Sequence, residues 1–502
     1  MFRLEAFEDA GLTHDTLSAA IERHRRTSLP RLERAWAYYR NGLTPRSVRG
    51  LNGRWYRQAQ EAGLPARLTQ SHKPDERTHA IREVVVENDI AWRVQAMVDF
   101  VFGKPVSLRS LAASDTATVI ERVLDHIWEC SGGIALLQDM GTLGHVYGHV
   151  DLAVRVDEGA LLAAGAAFGG EAGGSLDLDA VLAAAGRAVR IELIEPTRGV
   201  PIIDERDWRN LKAYVISTKV QRRETREPGW LADVLRAVRG ASVAETDESE
   251  VVEIISPAAW HVYEDGILAW ESYHNLFGGE LPVVHVQNIA QPFEYEGIGE
   301  VEPLIPLQDE LNVRLSDRAN RVTLQSFKMY LAKGLDGLEK IPIGPGQIWH
   351  TDNPDASIES FGGDGSSPSE ESHIREVREA MDKVSGVPPL SGGVVQGRIG
   401  NLSSANALRI TLMGLIAKTE RKRIAYGRGI ARASALALTA LHNAGLFRTR
   451  ESDRAVRLAW PDPLPEDAQA KAMLAKAKHE LGAPAGAALR ELGEATNEDA
   501  VS

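Results

Sequence analysis

The chain has 502 residues, 43% hydrophobic and 25% charged, the balance of an ordinary globular protein with room for about two to four domains. A formal net charge of −13 argues against a broad basic grip on nucleic acid, and a lone cysteine, Cys130, excludes an internal disulfide framework. No segment has the roughly 18 uncharged apolar residues that a membrane span needs, and MFRLEAFEDAG turns acidic too early for a signal peptide, so synthesis and use in the cytosol, or in something assembled there, are expected.

Residues 13–43 read as helix, Thr13 to Arg26 and then Leu29 to Tyr39 after a break at Pro30. A polar, glycine-containing stretch follows to Lys73. Residues 77–102 are expected to form one helix, because Ile81, Val84, Val85, Ile90, Val94, Met97, Val98 and Val101 recur at helical spacing. Gly103 and Pro105 stop it. Residues 115–144 read as helix again.

The period then changes to two. HVDLAVRVDEG (149–159), RIELIEP (190–196), KAYVISTKV (212–220), EVVEIISP (250–257), WHVYEDG (260–266) and ILAWESYHN (267–275) read as strands, the last two joined at Asp265-Gly266. The Ala/Gly insertion after the first strand, with six glycines from Gly159 to Gly174, reads as a long surface loop. Residues 140–297 thus predict an α+β domain rich in antiparallel strands.

From Gly299 the helical period returns, carried by Leu304, Leu307, Leu311, Leu315, Val322 and Leu331. A compact β module is expected over about 333–366. The next helix starts at SPSEESHIREVREAMDKV, with Ser367 as N-cap, Pro368 at N1 and Glu370 closing a capping box. Gly386 to Gly400 hold five glycines in a mostly apolar loop. Leu402 to Asn443 can be one long helix, VRLAWPDP (456–463) is strand-like, and the tail reads as one or two amphipathic helices.

Enzymatic signatures are absent from the sequence. There is no Walker A loop, HExxH, G-x-S-x-G or CxxC. His145 and His149 lie four apart in GHVYGH but have no evident third ligand, and read as ordinary loop or strand histidines. GGDGSSPSE (362–370) is Gly-rich and leads into a helix, the setting of a turn and an N-cap. Asp204/Asp207 and Asp352/Asp355 read as turn caps. Lys418, Arg421, Lys422 and Arg423 form the one local basic run of note. On a helix, 418, 421, 422, 425 and 428 would share a face, open either to solvent and acidic neighbours or to nucleic acid or another subunit.

The order of these elements resembles the tailed-phage portal proteins of the SPP1-like type, over roughly residues 35–495. VENDIAWRVQAMVDFVFGKPVSL (86–108) is similar to that family's helix ending in a G-[KR]-P-V turn. LPVVHVQN (281–288) and EYEGIGEVEPLIPLQDELNVRLSD (294–317) resemble its P-V-V…N segment, its G-x-S-x-[LI] turn and the helix that follows, with Gly299 where Ser or Lys is usual. VSGVPPL…NLSSANALRITLMGLIAKTERKR (384–423) is similar to its V-P…SG-x-A-L…K segment, with Ser404-Ala405 in place of Ser-Gly.

The resemblance implies a portal fold of α+β class: an α+β wing, a two-helix stem, a small α/β clip, a long wing-crossing helix and a helical C-terminal crown. On this chain, 1–297 would be wing, 298–326 and 369–385 stem helices, and 327–368 clip. Residues 386–401 would be the tunnel loop, 402–464 the long helix and wing return, and 465–502 the crown. It further implies a homo-oligomeric ring of about twelve at one capsid vertex of the virion, assembled in the host cytoplasm with major capsid and scaffold proteins. Double-stranded DNA would be packaged and ejected through its channel. The clip, including Asp352 and Asp355, would dock the terminase large subunit and later the head-completion or adaptor proteins. Gly392, Gly393, Val394, Val395, Gln396 and Arg398 would be the part of the loop nearest DNA: glycine keeps it mobile, and a single charge keeps it from gripping phosphate. Lys418, Arg421 and Lys422 would be candidates for contact with DNA or a neighbouring subunit. No cofactor, metal, membrane partner or enzymatic activity is implied. The rival expectation is a metal-dependent hydrolase or nuclease on an α+β core, which would need a convergent acid, base or metal cluster.

Overall fold

The computed structural model describes residues 2–47, 49, 53–69, 83–169, 178–204, 206–221, 248–272, 276–326, 329–333, 354–355, 357–361, 368–388, 390–391, 394–395, 405–464 and 468–482. The chain divides into two compact units. One holds residues 1–36, 93–302 and 386–502, and the other holds 37–92 and 303–385.

After a 3-10 turn, Glu5–Ala10, comes helix α1 (His14–Arg23), where Thr13 and Thr16 cap each other's backbone amides, and the chain continues into α2 (Leu29–Arg40). The expected break at Pro30 is absent. A π-helical turn, His24–Ser28, joins the two helices, and Leu29 N–H reaches back to the His24 carbonyl. Widening one turn reroutes the bonds next to a residue that has no N–H to give. A small hairpin, β1 (Leu43–Pro45) with β2 (Tyr56–Gln58), and the short α3 (Ala66–Thr69) follow.

The expected helix over 77–102 is half right. Helix α4 spans Asp89–Phe102, whereas residues 83–88 are extended and 77–82 lie outside the described residues. After it come β3 (Ser107–Ser110), α5 (Ser114–Cys130) and α6 (Gly133–Tyr147), with Gly132 and Gly133 at positive φ separating the two helices. The Ala/Gly insertion after β4 (His149–Val156) is a correction. Its first part is helix α7 (Glu158–Gly169), and α8 (Leu178–Ala188) leads into β5 (Val189–Ile194). Alanine is the best helix former, and Leu161 supplies a buried anchor. A Cβ on Gly165 would meet the Ala444 carbonyl oxygen at 1.9 Å, so this glycine permits a close approach and does not mark a loop.

Strands β6 (Gly199–Ile203), β7 (Leu211–Gln221), β8 (Glu248–Ile255), β9 (Trp260–Glu264) and β10 (Ile267–Ser272) form an antiparallel five-stranded sheet in the order β10-β9-β8-β7-β6. The β9–β10 turn is Asp265-Gly266 as expected, both residues at positive φ. Leu4, Phe7, Leu12 and Leu17 pack against Val200, Val215, Val252 and Ile254, so the N-terminal segment covers one face of this sheet. Strand β11 (Val283–Gln287) joins β4 and β5 in a three-stranded sheet, ordered β11-β4-β5. The largest core lies between that sheet, α5, α6 and the later long helix, and includes Phe102, Ile127, Met140, Leu152, Tyr426 and Leu441.

In the second unit, helix α9 (Ile305–Ser326) leads to β12 (Met329–Lys333), which pairs with β13 (Ser357–Phe361), and to α10 (Pro368–Ser385). Leu331, expected in the helix, lies in β12. Ser367 of the expected capping box lies outside the described residues. Arg321 pairs with Glu370, and His373 Nε2 lies 3.0 Å from Glu310, between α9 and α10. The extended residues 83–88 are held along α9 by a row of side chains four residues apart. Asn320, Ser316 and Asn312 accept the amides of Glu83, Val85 and Glu87 at 2.8, 3.0 and 3.0 Å. Asn320, Ser316 and Gln308 donate back to the carbonyls of the same three residues. Four helical residues rise about 6 Å, and two extended residues about 6.6 Å, so the two periods stay in step.

Returning to the first unit, β14 (Leu390–Ser391) pairs with β15 (Val394–Val395). The long helix expected from Leu402 is interrupted once: α11 (Ala405–Thr411) gives way at Leu412 to α12 (Met413–Asn443). Strand β16 (Val456–Ala459) pairs with β3, and α13 (Ala468–Glu480) follows.

Candidate functional site

The basic run on α12 does not form one open face. Lys418 Nζ lies 2.6 Å and Lys422 Nζ 2.7 Å from the two oxygens of Glu300, with the Lys422 side chain 1% and that of Glu300 5% exposed. Residues four apart do share a direction, but here it is inward. Arg421 is exposed, and so is Arg428 two helical turns further on. Lys418 and Lys422, proposed from sequence as contacts for DNA or another subunit, are thus corrected to internal partners of Glu300.

Of the tunnel-loop residues, Val394 and Val395 lie in the hairpin with Leu390 and Ser391. Gly392, Gly393, Gln396 and Arg398 lie outside the described residues. Asp352 does too, and Asp355 sits in an exposed turn. Asp204 and Asp207 accept the amides of Arg206 and Arg209, the local capping expected of them. Among the described residues, no three His, Cys, Asp or Glu side chains gather as metal ligands would.

Glu300 is placed by backbone packing that only glycine permits. Gly148 (φ +95°) ends α6, and a Cβ there would lie 2.3 Å from the Gly297 carbonyl oxygen. The reciprocal Cβ on Gly297 would meet the Gly148 oxygen at 2.5 Å, and one on Gly299 would meet the Val146 oxygen at 2.8 Å. The chain is stitched there by Glu300 N–H to the His145 carbonyl at 2.6 Å and Asn288 N–H to the Gly148 carbonyl at 2.8 Å. Tyr426 donates to Asn288 Oδ1 at 3.1 Å and its ring stacks on His145.

The charges in this hub control one another. Burial pushes the Glu300 carboxyl up, but Lys422, Lys418 and His145 outweigh it and bring it down to about 2. Burial, and the positive charge of Lys418, bring Lys422 down to about 8 despite Glu300. Burial and Lys422 bring His145 down to about 3, so its ring is neutral, donating from Nδ1 to the Gly141 carbonyl. One carboxylate thus anchors two lysines from successive turns of α12 to the segment from which the chain enters α9.

A second buried network lies in the same unit. Asp151 accepts from Tyr214 at 2.6 Å, Tyr295 at 2.9 Å and His285 Nδ1 at 2.7 Å. The other His285 nitrogen faces the Tyr295 carbonyl at 2.7 Å. Burial raises the Asp151 carboxyl, and His285 more than reverses it. His149, beside this network, is buried and brought down to about 4 by desolvation. The Asp151 hydrogen bonds join β4 to β7 and β11. The sequence reading missed both Glu300 and Asp151. The available signals were an acid after Gly297-Ile298-Gly299, and an acid at an inward position of a strand.

A family model described as "Phage portal protein, SPP1 Gp6-like" matches residues 19–501. No curated protein matches. Among solved structures, the chain is similar to one titled "Neck of native GTA particle computed with C12 symmetry", at 11% identity and a TM-score of 0.43, covering 81% of this chain and 90% of that one. It is similar to "Neck of empty GTA particle computed with C6 symmetry", at 12% identity and 0.46, covering 82% and 91%. The "Virion of native gene transfer agent (GTA) particle" matches at 12% and 0.42, covering 81% and 90%.

Proposed function

Because the chain belongs to the SPP1 Gp6-like phage portal protein family, we propose that it forms a ring of about twelve copies at the unique capsid vertex and conducts double-stranded DNA during packaging and ejection. The observation that carries this reading is the extent of the family match, residues 19–501, nearly the whole chain. Residues 298–326 and 369–385 are the stem helices, 327–368 the clip and 386–401 the tunnel loop in this reading, with 1–297 as wing, 402–464 as long helix and wing return, and 465–502 as crown. The clip docks the terminase large subunit and then the head-completion proteins.

The residues support the reading in three ways. The net charge of −13 lowers the attraction of a sliding polyanion to the wall around it. The 386–401 segment carries five glycines and one formal charge, Arg398, so twelve copies add little phosphate binding. The family is structural and non-enzymatic, and in this reading the ATPase of packaging is a separate subunit. Its members are virion components, and no helix among the described residues is long and apolar enough to cross a membrane.

Capsids assembled with and without this chain test the reading. Omitting it is expected to give shells that protect no DNA from nuclease, and antibody to the chain is expected to label filled particles at one vertex. Filled particles without the chain, or label spread over all vertices, would overturn it.

A further inference from the structure

Residue 293 combines two features that rarely coincide. Phe293 is 85% exposed, and its backbone φ is +66°, a conformation that favours glycine and disfavours an aromatic residue. Its loop is fixed nonetheless. Ile298 N–H bonds to the Ile289 carbonyl at 3.0 Å, Gln287 Nε2 to the Glu294 carbonyl at 2.9 Å, and Asn288 Nδ2 to the Ile298 carbonyl at 3.1 Å. Tyr295, two residues from Phe293, is locked onto Asp151. Pro292 and Glu294 are exposed on either side. A rigid loop that presents an exposed aromatic on strained backbone is preorganised for contact with another surface.

The same unit carries a complementary surface on α12. Met413 and Ile424 are 67% and 58% exposed, and Arg421 and Arg428 are exposed on either side of Ile424. Neither arginine is engaged by an acidic side chain among the described residues. Glu420, an acid on this ridge, is turned back to Arg423 at 2.9 Å. The ridge is therefore apolar and basic, where the loop is apolar and acidic.

The two surfaces also point in suitable directions. The loop is hung between Asn288, held by Tyr426, and Glu300, held by Lys422. Ile424 is two residues from both Tyr426 and Lys422. At about 100° per residue it projects from the opposite side of α12. A closed ring needs two different, complementary patches on separate sides of each subunit.

Building on the ring reading, we propose that the Pro292-Phe293-Glu294 loop of one copy docks on the Met413–Arg428 ridge of the next. Phe293 lies against Ile424, and Glu294 lies within reach of Arg421 or Arg428, which flank Ile424 on the same helix. The strained backbone is kept because the aromatic side chain at this position joins subunits.

Replacing Phe293 with p-benzoylphenylalanine in the full chain tests the contact. Irradiation of the assembled protein is expected to give an intermolecular cross-link that maps to residues 413–428. A cross-link to another surface, or none in an assembled ring, would overturn the contact and leave the ring reading standing. A wild-type chain that stays monomeric at every concentration and salt would overturn both. Phe293→Gly supplies a second readout, because glycine accepts the positive φ. It should melt at or above the wild-type temperature yet need at least about tenfold more protein to assemble. Glu294→Arg should weaken assembly similarly, and Arg421→Glu with Arg428→Glu should restore it. Assembly of both single variants at wild-type concentration would contradict the proposal.

Discussion

Lys422 and Glu300 form a salt bridge of 2.7 Å from which solvent is almost excluded. Such a pair contributes little net stability compared with a well-packed apolar pair, but removing one partner leaves an uncompensated buried charge. Glu300→Ala leaves two lysines without their carboxylate and is expected to cost about 3–5 kcal/mol. Lys422→Met keeps the volume and leaves Glu300 with Lys418, so it should cost less than half of that. Denaturant titration of the two variants checks the order; equal losses would mean that the pair is not acting as a charge pair.

The buried groups of the two networks make stability depend on acid in a defined order. His145 and His149 have folded values of about 3 and about 4, below the ordinary imidazole value of 6.5. The unfolded chain therefore binds more protons, and stability falls as pH drops below about 6.5. Glu300, depressed to about 2, adds a further loss only below about 4.5. Thermal melts from pH 7.5 to 4 should show a decline that begins near pH 6, and His149→Gln should flatten its upper part. A melting temperature constant from pH 7 to 5 would contradict the neutral buried imidazoles.

Gly148→Ala tests the backbone crossing directly. The added methyl meets the Gly297 oxygen at 2.3 Å and must also adopt φ +95°. A loss of about 3 kcal/mol or more is expected from strain and displaced backbone. Gly11→Ala shares the positive φ but meets no atom within 4 Å, so it should cost only about 1 kcal/mol. Their difference isolates the close approach.

In the second unit, Asn312→Ala removes the acceptor of the Glu87 amide and the donor to Gln60 Oε1. Leaving such groups buried and unpaired costs about 1–3 kcal/mol each. Hydrogen exchange at residues 83–88 should accelerate in this variant, while exchange in β4 and β5 stays unchanged. Wild-type protection at 83–88 would show that the side-chain row on α9 does not hold this segment.

Deleting Val394–Arg398 addresses the proposed tunnel loop. The variant is expected to assemble like wild type but to package DNA poorly or lose it afterwards. Particles that fill and retain DNA normally would remove the loop's role. Charge reversal at Asp352 and Asp355 should weaken terminase or adaptor capture in a pull-down, and unchanged capture would count against the clip assignment.

The strands β4, β5, β7, β8, β9 and β10 were legible because each alternates apolar and polar residues or carries a marked turn. Helix α9 was legible from Leu307, Leu311 and Leu315, but the extended segment 83–88 packed along it was not. The residues that hold this segment, Gln308, Asn312, Ser316 and Asn320, are polar, and hydrophobic periodicity is blind to a polar stripe that is buried. The same blindness turned residues 83–88 into helix, because Val84 and Val85 fit a helical spacing as well as an extended one. The 159–175 insertion misled for the opposite reason: its glycines were read as flexibility, when Gly165 marks close backbone packing. At the hub, the spacing of Lys418 and Lys422 was legible, but their direction was not, since Glu300 lies more than a hundred residues away in sequence.

Negative-stain or cryogenic electron microscopy of the purified full chain, with native mass measured on the same sample, tests the central claim most directly. The account predicts closed rings with a central hole and a mass near twelve times the 54.7 kDa chain. A single compact particle of one or two chains, unchanged across salt and concentration, would contradict it.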